Sequence, residues 1–214
     1  MRALSVAPST LAIMSYSLSP YLVDLAVVRG AVASGDVKLR RMIGGRFKQR
    51  LAQDDDYFAD QIERGAPTRY DALRAVIDGG PFDAAPEFAF QYGYAYRMIC
   101  EFHGRFLFNN HFSPFRGSWL EDVDAGLSAL GITAVAVTDF MYGSGPDPLP
   151  YRELPGYGEW SAEQCAQGLA QWEASTPEQR EALDPEVLEA VESCVDWMRQ
   201  ARAKEGYGIA GFGC

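Results

Sequence analysis

The chain has 214 residues, of which 48% are hydrophobic, 22% charged and 13% aromatic. This composition excludes a disordered, collagen-like or coiled-coil chain and predicts a globular protein with a sizeable hydrophobic core. The formal net charge of −10 repels DNA, RNA and anionic lipid, so the sequence predicts no nucleic-acid partner and no membrane partner.

The amino terminus is expected to contribute little to the fold. Residues 1–13, MRALSVAPSTLAI, form a short apolar run interrupted by Arg, Pro and Ser, which suits neither a signal peptide nor a membrane span. We expect a weakly ordered extension over 1–13, with Met14 as a candidate natural start, and a single domain over 14–214. Within that domain, residues 16–25 predict a first strand, which Pro20 would place at a sheet edge or at a bulge.

Three helices are predicted next. Asp36 caps an apolar pattern of helical period over 37–51, which two adjacent glycines weaken. Shorter helices follow over 55–64 and 68–77, separated by a glycine and a proline.

The segment 88–102, FAFQYGYAYRMICEF, is apolar on nearly every side when it is placed on a helix. A helix of that kind belongs at the centre of a fold. The sequence therefore predicts a central apolar helix at about 88–103.

A capping box, a strand and a loop are predicted after the middle of the chain. Ser118 and Glu121 have the spacing of a capping box, and the helix that they open is closed by Gly131. The segment Ile132–Phe140, ITAVAVTDF, is β-branched and almost continuously apolar, which predicts a strand covered on both faces. Residues 141–158 hold four prolines and four glycines and predict a long ordered loop.

Helix signals dominate the remaining chain. Ser161, Thr176 and Asp184 each predict the start of a helix, and Tyr207–Cys214 predicts a short terminal strand. Taken together, these elements predict an α+β fold: a small mixed or antiparallel sheet of three to four strands with helices packed on it.

The cysteines and histidines give little support for a metal centre. No C-x-x-C pair occurs, and the two imidazoles belong to His103 and His111. We therefore expect no metal site, no cofactor, and reduced thiols in a cytoplasmic protein. The four thiols concerned are Cys100, Cys165, Cys194 and Cys214.

The segment 100–119 concentrates both histidines, two asparagines, two arginines and six aromatic residues. Ligand pockets combine apolar walls with a few polar groups in this way. The alternative is a loop anchored by aromatic side chains, with asparagines that close its turns. The candidate ligand-binding residues are Tyr92, Tyr96, His103, Asn109, Asn110, His111, Arg116 and Trp119.

The catalytic possibilities in this region are weak. A triad of Ser113, His111 and Asp122 would require the three side chains to converge, and the G-x-S-x-G turn of such hydrolases is missing. The sequence therefore assigns no catalytic residue and leaves open whether the protein is an enzyme.

A second candidate region is the loop from Tyr142 to Tyr157. Its glycines allow close approach of a partner, and its tyrosines offer amphipathic contact area on a backbone stiffened by proline. Such a loop suits protein recognition. The alternative is a loop that only covers the edge of the sheet.

Several local motifs are distinctive: Met14–Leu18, Leu39–Phe47, Gly93–Tyr96, Gly117–Asp124, Pro148–Pro150 and the aromatic terminal strand. These motifs resemble those of an uncharacterised bacterial family found in actinobacteria and myxobacteria. More distantly, the order of helices and the terminal strand are similar to those of the small YfbM-like proteins. The resemblance covers the chain from Met14 onward and implies an α+β cytoplasmic domain without an established reaction.

From these observations we expect a non-enzymatic binding protein of the cytoplasm, of an accessory or immunity type. Its acidic, aromatic-rich surface would dock a protein partner and steer a basic one. The alternative is a small-molecule enzyme or sensor whose aromatic pocket lies around residues 92–119. The sequence leaves the oligomeric state open.

Overall fold

Four antiparallel strands form one sheet between two layers of helices. The structure is a computed structural model that describes residues 15–214, so the predicted extension over 1–13 lies outside the described residues. The order across the sheet is β2-β1-β4-β3. The strands are β1 (Leu18–Asp24), β2 (Arg105–Phe106), β3 (Gly156–Trp160) and β4 (Tyr207–Gly213).

Strand β1 is confirmed, but it lies inside the sheet instead of at its edge. It pairs with β4 along its whole length, from Leu18 opposite Gly213 to Asp24 opposite Tyr207. The carbonyl of Pro20 accepts a hydrogen bond from the Leu107 N–H at 2.9 Å on the other side. Because the nitrogen and carbonyl of a strand residue point the same way, the missing N–H of Pro20 faces β2, which is only two residues long.

Eleven α-helices surround this sheet within the described residues. Two short 3₁₀ turns, at Pro86–Phe88 and Asn110–Phe112, complete the regular structure there. The α-helices are α1 (Leu25–Ala31), α2 (Val37–Arg46), α3 (Lys48–Tyr57), α4 (Ala59–Glu63), α5 (Arg69–Asp78), α6 (Phe90–His103), α7 (Trp119–Ala129), α8 (Asp139–Tyr142), α9 (Ala162–Ala174), α10 (Pro177–Glu181) and α11 (Pro185–Arg202).

Helix α6 is the predicted central helix, and it packs on one face of the sheet with α1 and α5. Tyr92, Tyr96 and Ile99 are at most 2% exposed. They share a hydrophobic cluster with Tyr157 of β3 and Phe212 of β4. The opposite face of the sheet carries α7, α9 and α11 around a second cluster that contains three buried tryptophans, Trp160, Trp172 and Trp197.

The predicted strand over Ile132–Phe140 is wrong. This segment is irregular until α8 begins at Asp139, although Val135 and Val137 are buried. The carboxylate of Asp124 accepts hydrogen bonds from the backbone N–H of Val137 at 2.6 Å and of Thr138 at 3.1 Å. Because the Asp124 side chain accepts these backbone hydrogen bonds, the apolar segment 132–140 packs into the core without a partner strand.

Several boundaries also differ from the sequence predictions. The helix over 37–51 breaks at Phe47, where α2 ends and α3 begins, and not at the two glycines. Ser118 precedes α7 as predicted, but its hydroxyl donates to Asp122 at 3.3 Å and forms no capping box. Strand β3 was not predicted, because its sequence GYGEW alternates glycine with polar or aromatic residues and carries no apolar period.

Helix α8 lies directly on the backbone of β3 and β4. The register places Gly158 opposite Gly211 and Gly156 opposite Gly213, so four glycines form a patch without side chains. A Cβ on Gly158 would stand 2.5 Å from the carbonyl carbon of Asp139. The glycine-rich ending of the chain therefore serves close packing of a helix on the sheet.

We expect Gly158→Ala to destabilise the protein by about 1–3 kcal/mol or more, because the new methyl group collides with backbone and not with a movable side chain. Gly45→Ala is the matched control, since a Cβ there meets nothing within 4 Å. The control should be neutral or stabilising by roughly 0.5–1 kcal/mol. Free energies of unfolding from urea titrations test both changes, and equal values for the two variants would contradict the packing described.

Candidate functional site

The long loop after α8 returns over α6 and ends in a ridge, which we define as residues Tyr151–Leu154. Two clefts adjoin this ridge. The α6 cleft, of about 490 Å³, is lined on its far side by Phe58, Phe90 and Tyr94. The α7 cleft, of about 680 Å³, is lined by Phe115, Leu120 and Tyr142, among others.

The loop is anchored at both ends while the ridge between them stays exposed. Leu149 is 9% exposed and belongs to the hydrophobic cluster around α6. Its N–H donates to the Pro146 carbonyl at 3.0 Å. Tyr151, by contrast, is 78% exposed and Leu154 39% exposed, so the ridge presents apolar area to solvent.

Arg152 of the ridge inserts its guanidinium toward α6 and lines both clefts. It lies against Gly93, where a Cβ would stand 2.8 Å from the Arg152 Cζ. Its Nε and Nη2 are buried and have no hydrogen-bond partner in the described part of the chain. The absence of a side chain at Gly93 thus admits a charged group against the backbone of a buried helix.

No carboxylate among residues 15–214 lies within 4.0 Å of the Arg152 guanidinium nitrogens. Residues 1–14 contain no Asp or Glu. Burial lowers the pKa of Arg152, but a guanidinium keeps its proton at neutral pH. Arg152 is therefore a largely buried cation that lacks a carboxylate partner from its own chain.

Two phenols near Arg152, those of Tyr96 and Tyr157, are neutral at pH 7. Burial raises the pKa of the Tyr96 phenol and, to well above its usual value, that of Tyr157. The two hydroxyls are 3.3 Å apart, and the Tyr157 hydroxyl donates to Glu159. Glu159 is in turn paired with Arg29, so its charge is already balanced.

Arg69 provides an internal comparison. It is 2% exposed, but its Nε donates to the Asp54 carboxylate at 3.1 Å and its Nη1 to the Gln91 carbonyl at 3.3 Å. Its guanidinium also stacks over the Tyr94 ring, 4.6 Å from the centroid. Arg69 is thus paired with a carboxylate, whereas Arg152 has no such partner among residues 15–214.

The eight residues selected from the sequence do not meet at one place. Tyr92 and Tyr96 are buried in the cluster around α6. His103 ends α6, with a buried Nε2 that has no partner and a pKa lowered by burial. Asn109 donates to the Leu18 carbonyl of β1 at 2.6 Å, a long-range bond that ties this loop to the sheet, and Asn110 is exposed in a 3₁₀ turn.

Three of the eight residues do come together. His111, Arg116 and Trp119 line a third cleft of about 430 Å³, together with Glu186 and Glu189 of α11. The Trp119 indole N–H donates to the His111 carbonyl at 2.6 Å. The ligand-binding role of the eight residues stays a prediction.

The tyrosine loop selected second from the sequence contributes more to the clefts. Tyr142 and Tyr151 are exposed beside them, whereas Tyr157 is 2% exposed in the core. Sequence reasoning missed Arg152 and Tyr94. A lone arginine in the proline-rich stretch PLPYRELPGY was the available signal for Arg152.

Two general features of the described chain bear on function. No helix of residues 15–214 combines the length and apolar character needed to cross a bilayer. The same residues contain no group of three or more His, Cys, Asp or Glu side chains placed to hold a metal ion.

The model of a domain of unknown function, DUF7691, matches residues 14–214. No curated protein and no solved structure matches the chain.

The unpaired charge of Arg152 predicts an unusual response to mutation. Arg152→Met keeps an unbranched side chain and removes the charge, so stability should stay equal or rise, by up to about 4 kcal/mol in comparable cases. Arg69→Met leaves Asp54 without its partner and should cost about 1–3 kcal/mol. Chemical denaturation of both variants provides the measurement, and a loss at Arg152 as large as that at Arg69 would show that Arg152 has a structural partner.

Proposed function

We propose a function from this site because the chain belongs to the DUF7691 family, a domain of unknown function. We propose that the protein is a binding protein and that a protein partner docks on the ridge and its two clefts. The observation that carries the proposal is the exposure of Tyr142, Tyr151 and Leu154 beside adjoining clefts. Exposed apolar side chains gathered at concave surface are typical of interaction sites.

The composition of the ridge supports protein recognition. Tyrosine side chains offer a large contact area and lose little conformational entropy on binding. The loop that carries them is held at Leu149 and at β3, so less entropy is lost when the partner docks.

Charge favours a basic partner. Glu87 lines the α6 cleft, Glu121 lines the α7 cleft, and Glu153 lines both. With a net charge of −10 for the whole chain, a basic protein is attracted over long range and associates faster. We extend the proposal to an accessory, immunity-type role, in which the acidic surface covers a basic region of its partner.

The same proposal places the protein in the bacterial cytoplasm. All four cysteines carry free thiols and three of them are buried. Burial raises the pKa of Cys165 to about 12, which makes that thiol unreactive. Free, inert thiols suit a reducing compartment.

The cleft lined by His111, Arg116 and Trp119 supports a second candidate function, the binding of a small molecule by an enzyme or sensor. Glu186 and Glu189 give this cleft acceptors opposite the Arg116 side. If this candidate is right, a small-molecule screen should give ligands that raise the melting temperature of the wild type. The substitution Trp119→Ser should abolish that rise, and substitutions in the ridge should leave it unchanged.

The docking proposal is tested with a library of peptides that carry free carboxyl termini. Peptides selected on the wild-type protein should be rich in Lys, Arg and aromatic residues. Their dissociation constants should rise about tenfold or more in the double variant Tyr151→Ser, Leu154→Ser, because both apolar contacts are lost.

Phe108→Ser is the matched control, since Phe108 is 60% exposed and lines a different depression beside α11. Its affinity for the selected peptides should equal that of the wild type. Equal binding by the ridge variant, or equal losses in the two variants, would contradict docking on the ridge.

A further inference from the structure

We infer that Arg152 is the anchor of the binding site and that it takes the terminal carboxylate of a basic polypeptide. This inference deepens the proposed function and rests on it. It starts from the unpaired guanidinium, because a buried charge without a partner is costly and requires an explanation.

A bound anion would supply the missing counter-charge. Nε and Nη2 of Arg152 are buried and have no hydrogen-bond partner among residues 15–214. Since Arg152 lines both clefts, an anion in either cleft meets a guanidinium that needs no protein acceptor to be displaced. In low-dielectric surroundings such a contact is stronger than it would be in water.

The number of charges in the clefts favours a single carboxylate over a phosphate. Of the described residues that line the two clefts, Arg152 is the one cation, whereas Glu87, Glu121 and Glu153 are anions. One positive charge balances a monoanion. A phosphate group, with a charge of about −1.5 to −2, would be repelled more strongly by the three glutamates.

The other residues that line the two clefts determine which kind of molecule carries the carboxylate. Phe58, Phe90 and Tyr94 form an apolar wall close to Arg152, which suits a large apolar side chain at the last position of a peptide. The three glutamates then face the preceding residues and favour Lys or Arg there. A chain terminus combines these features, since it joins a carboxylate, an apolar side chain and basic neighbours.

The test compares three probes that differ in one feature each. The first is amino-acetylated Lys-Lys-Phe with a free carboxyl terminus, the second is its carboxamide, and the third is acetyl-phenylalanine. Affinities are measured by calorimetry, and the Nε–H signal of Arg152 is followed by NMR to locate binding.

The tripeptide with a free carboxyl terminus should have a dissociation constant about tenfold or more below that of its amide. It should also bind more tightly than acetyl-phenylalanine and should shift the Arg152 Nε–H signal. Arg152→Met should reduce its affinity to that of the amide. Arg41→Met is the matched control, because Arg41 is exposed on α2 and lines neither cleft, and it should bind the tripeptide like the wild type.

Each other outcome overturns the inference. Equal affinity of acid and amide, or full affinity in Arg152→Met, removes Arg152 as the anchor. Acetyl-phenylalanine binding as tightly as the tripeptide assigns the site to small carboxylic acids. If library peptides bind the ridge and none of the three probes binds the wild type, the anchor is wrong while the proposed function stands; if no library peptide binds either, the proposed function fails with it.

Discussion

The arrangement of the molecule depends on the contact between a short helix and a patch of sheet that has no side chains. Gly158 and Gly211 face each other across β3 and β4; the backbone of Asp139 and Phe140 lies against Gly158, and the Phe140 ring lies against Gly211. Any larger residue would push α8 away from the sheet. Because the loop that follows α8 starts from this contact and rejoins the sheet at β3, its course over α6 is fixed at both ends.

A glycine also makes room for a close contact where the loop crosses α6. Gly93 leaves room for the Arg152 guanidinium, which a Cβ at this position would displace. In the first case the space serves packing of backbone on backbone. At Gly93 the space holds the Arg152 guanidinium, a cation without a countercharge from residues 15–214. This uncompensated charge connects the fold with a binding role.

Much of the helical structure could be predicted from sequence, because the signals for these helices are local. The apolar period of α6 and the cap at Ser161 depend on residues within a few positions of each other, and both appear where the pattern places them. Ile132–Phe140 could not be predicted correctly, because its backbone donors are taken by Asp124, which lies on the preceding helix. An apolar run has the same pattern whether it packs as a strand or as an irregular segment.

The candidate site was also only partly predictable from the sequence. Residue type alone selected the tyrosine loop, and Tyr142 and Tyr151 do lie beside the clefts. It could not select Arg152, since whether an arginine is paired depends on neighbours from α6 and β3 that are distant in the chain. The histidines and asparagines of 103–111 were chosen as polar groups of a pocket, yet the Asn109 side chain donates to the Leu18 carbonyl of β1.

Hydrogen exchange on the Gly158→Ala protein tests most directly whether the glycine patch holds the loop. In the wild type, the N–H of Gly143 donates to the Asp139 carbonyl at 3.1 Å, at the point where the loop leaves α8. We predict that exchange over residues 139–155 accelerates in the variant much more than exchange in α11, which reports global unfolding. Equal acceleration in both regions, or none over 139–155, would contradict the account.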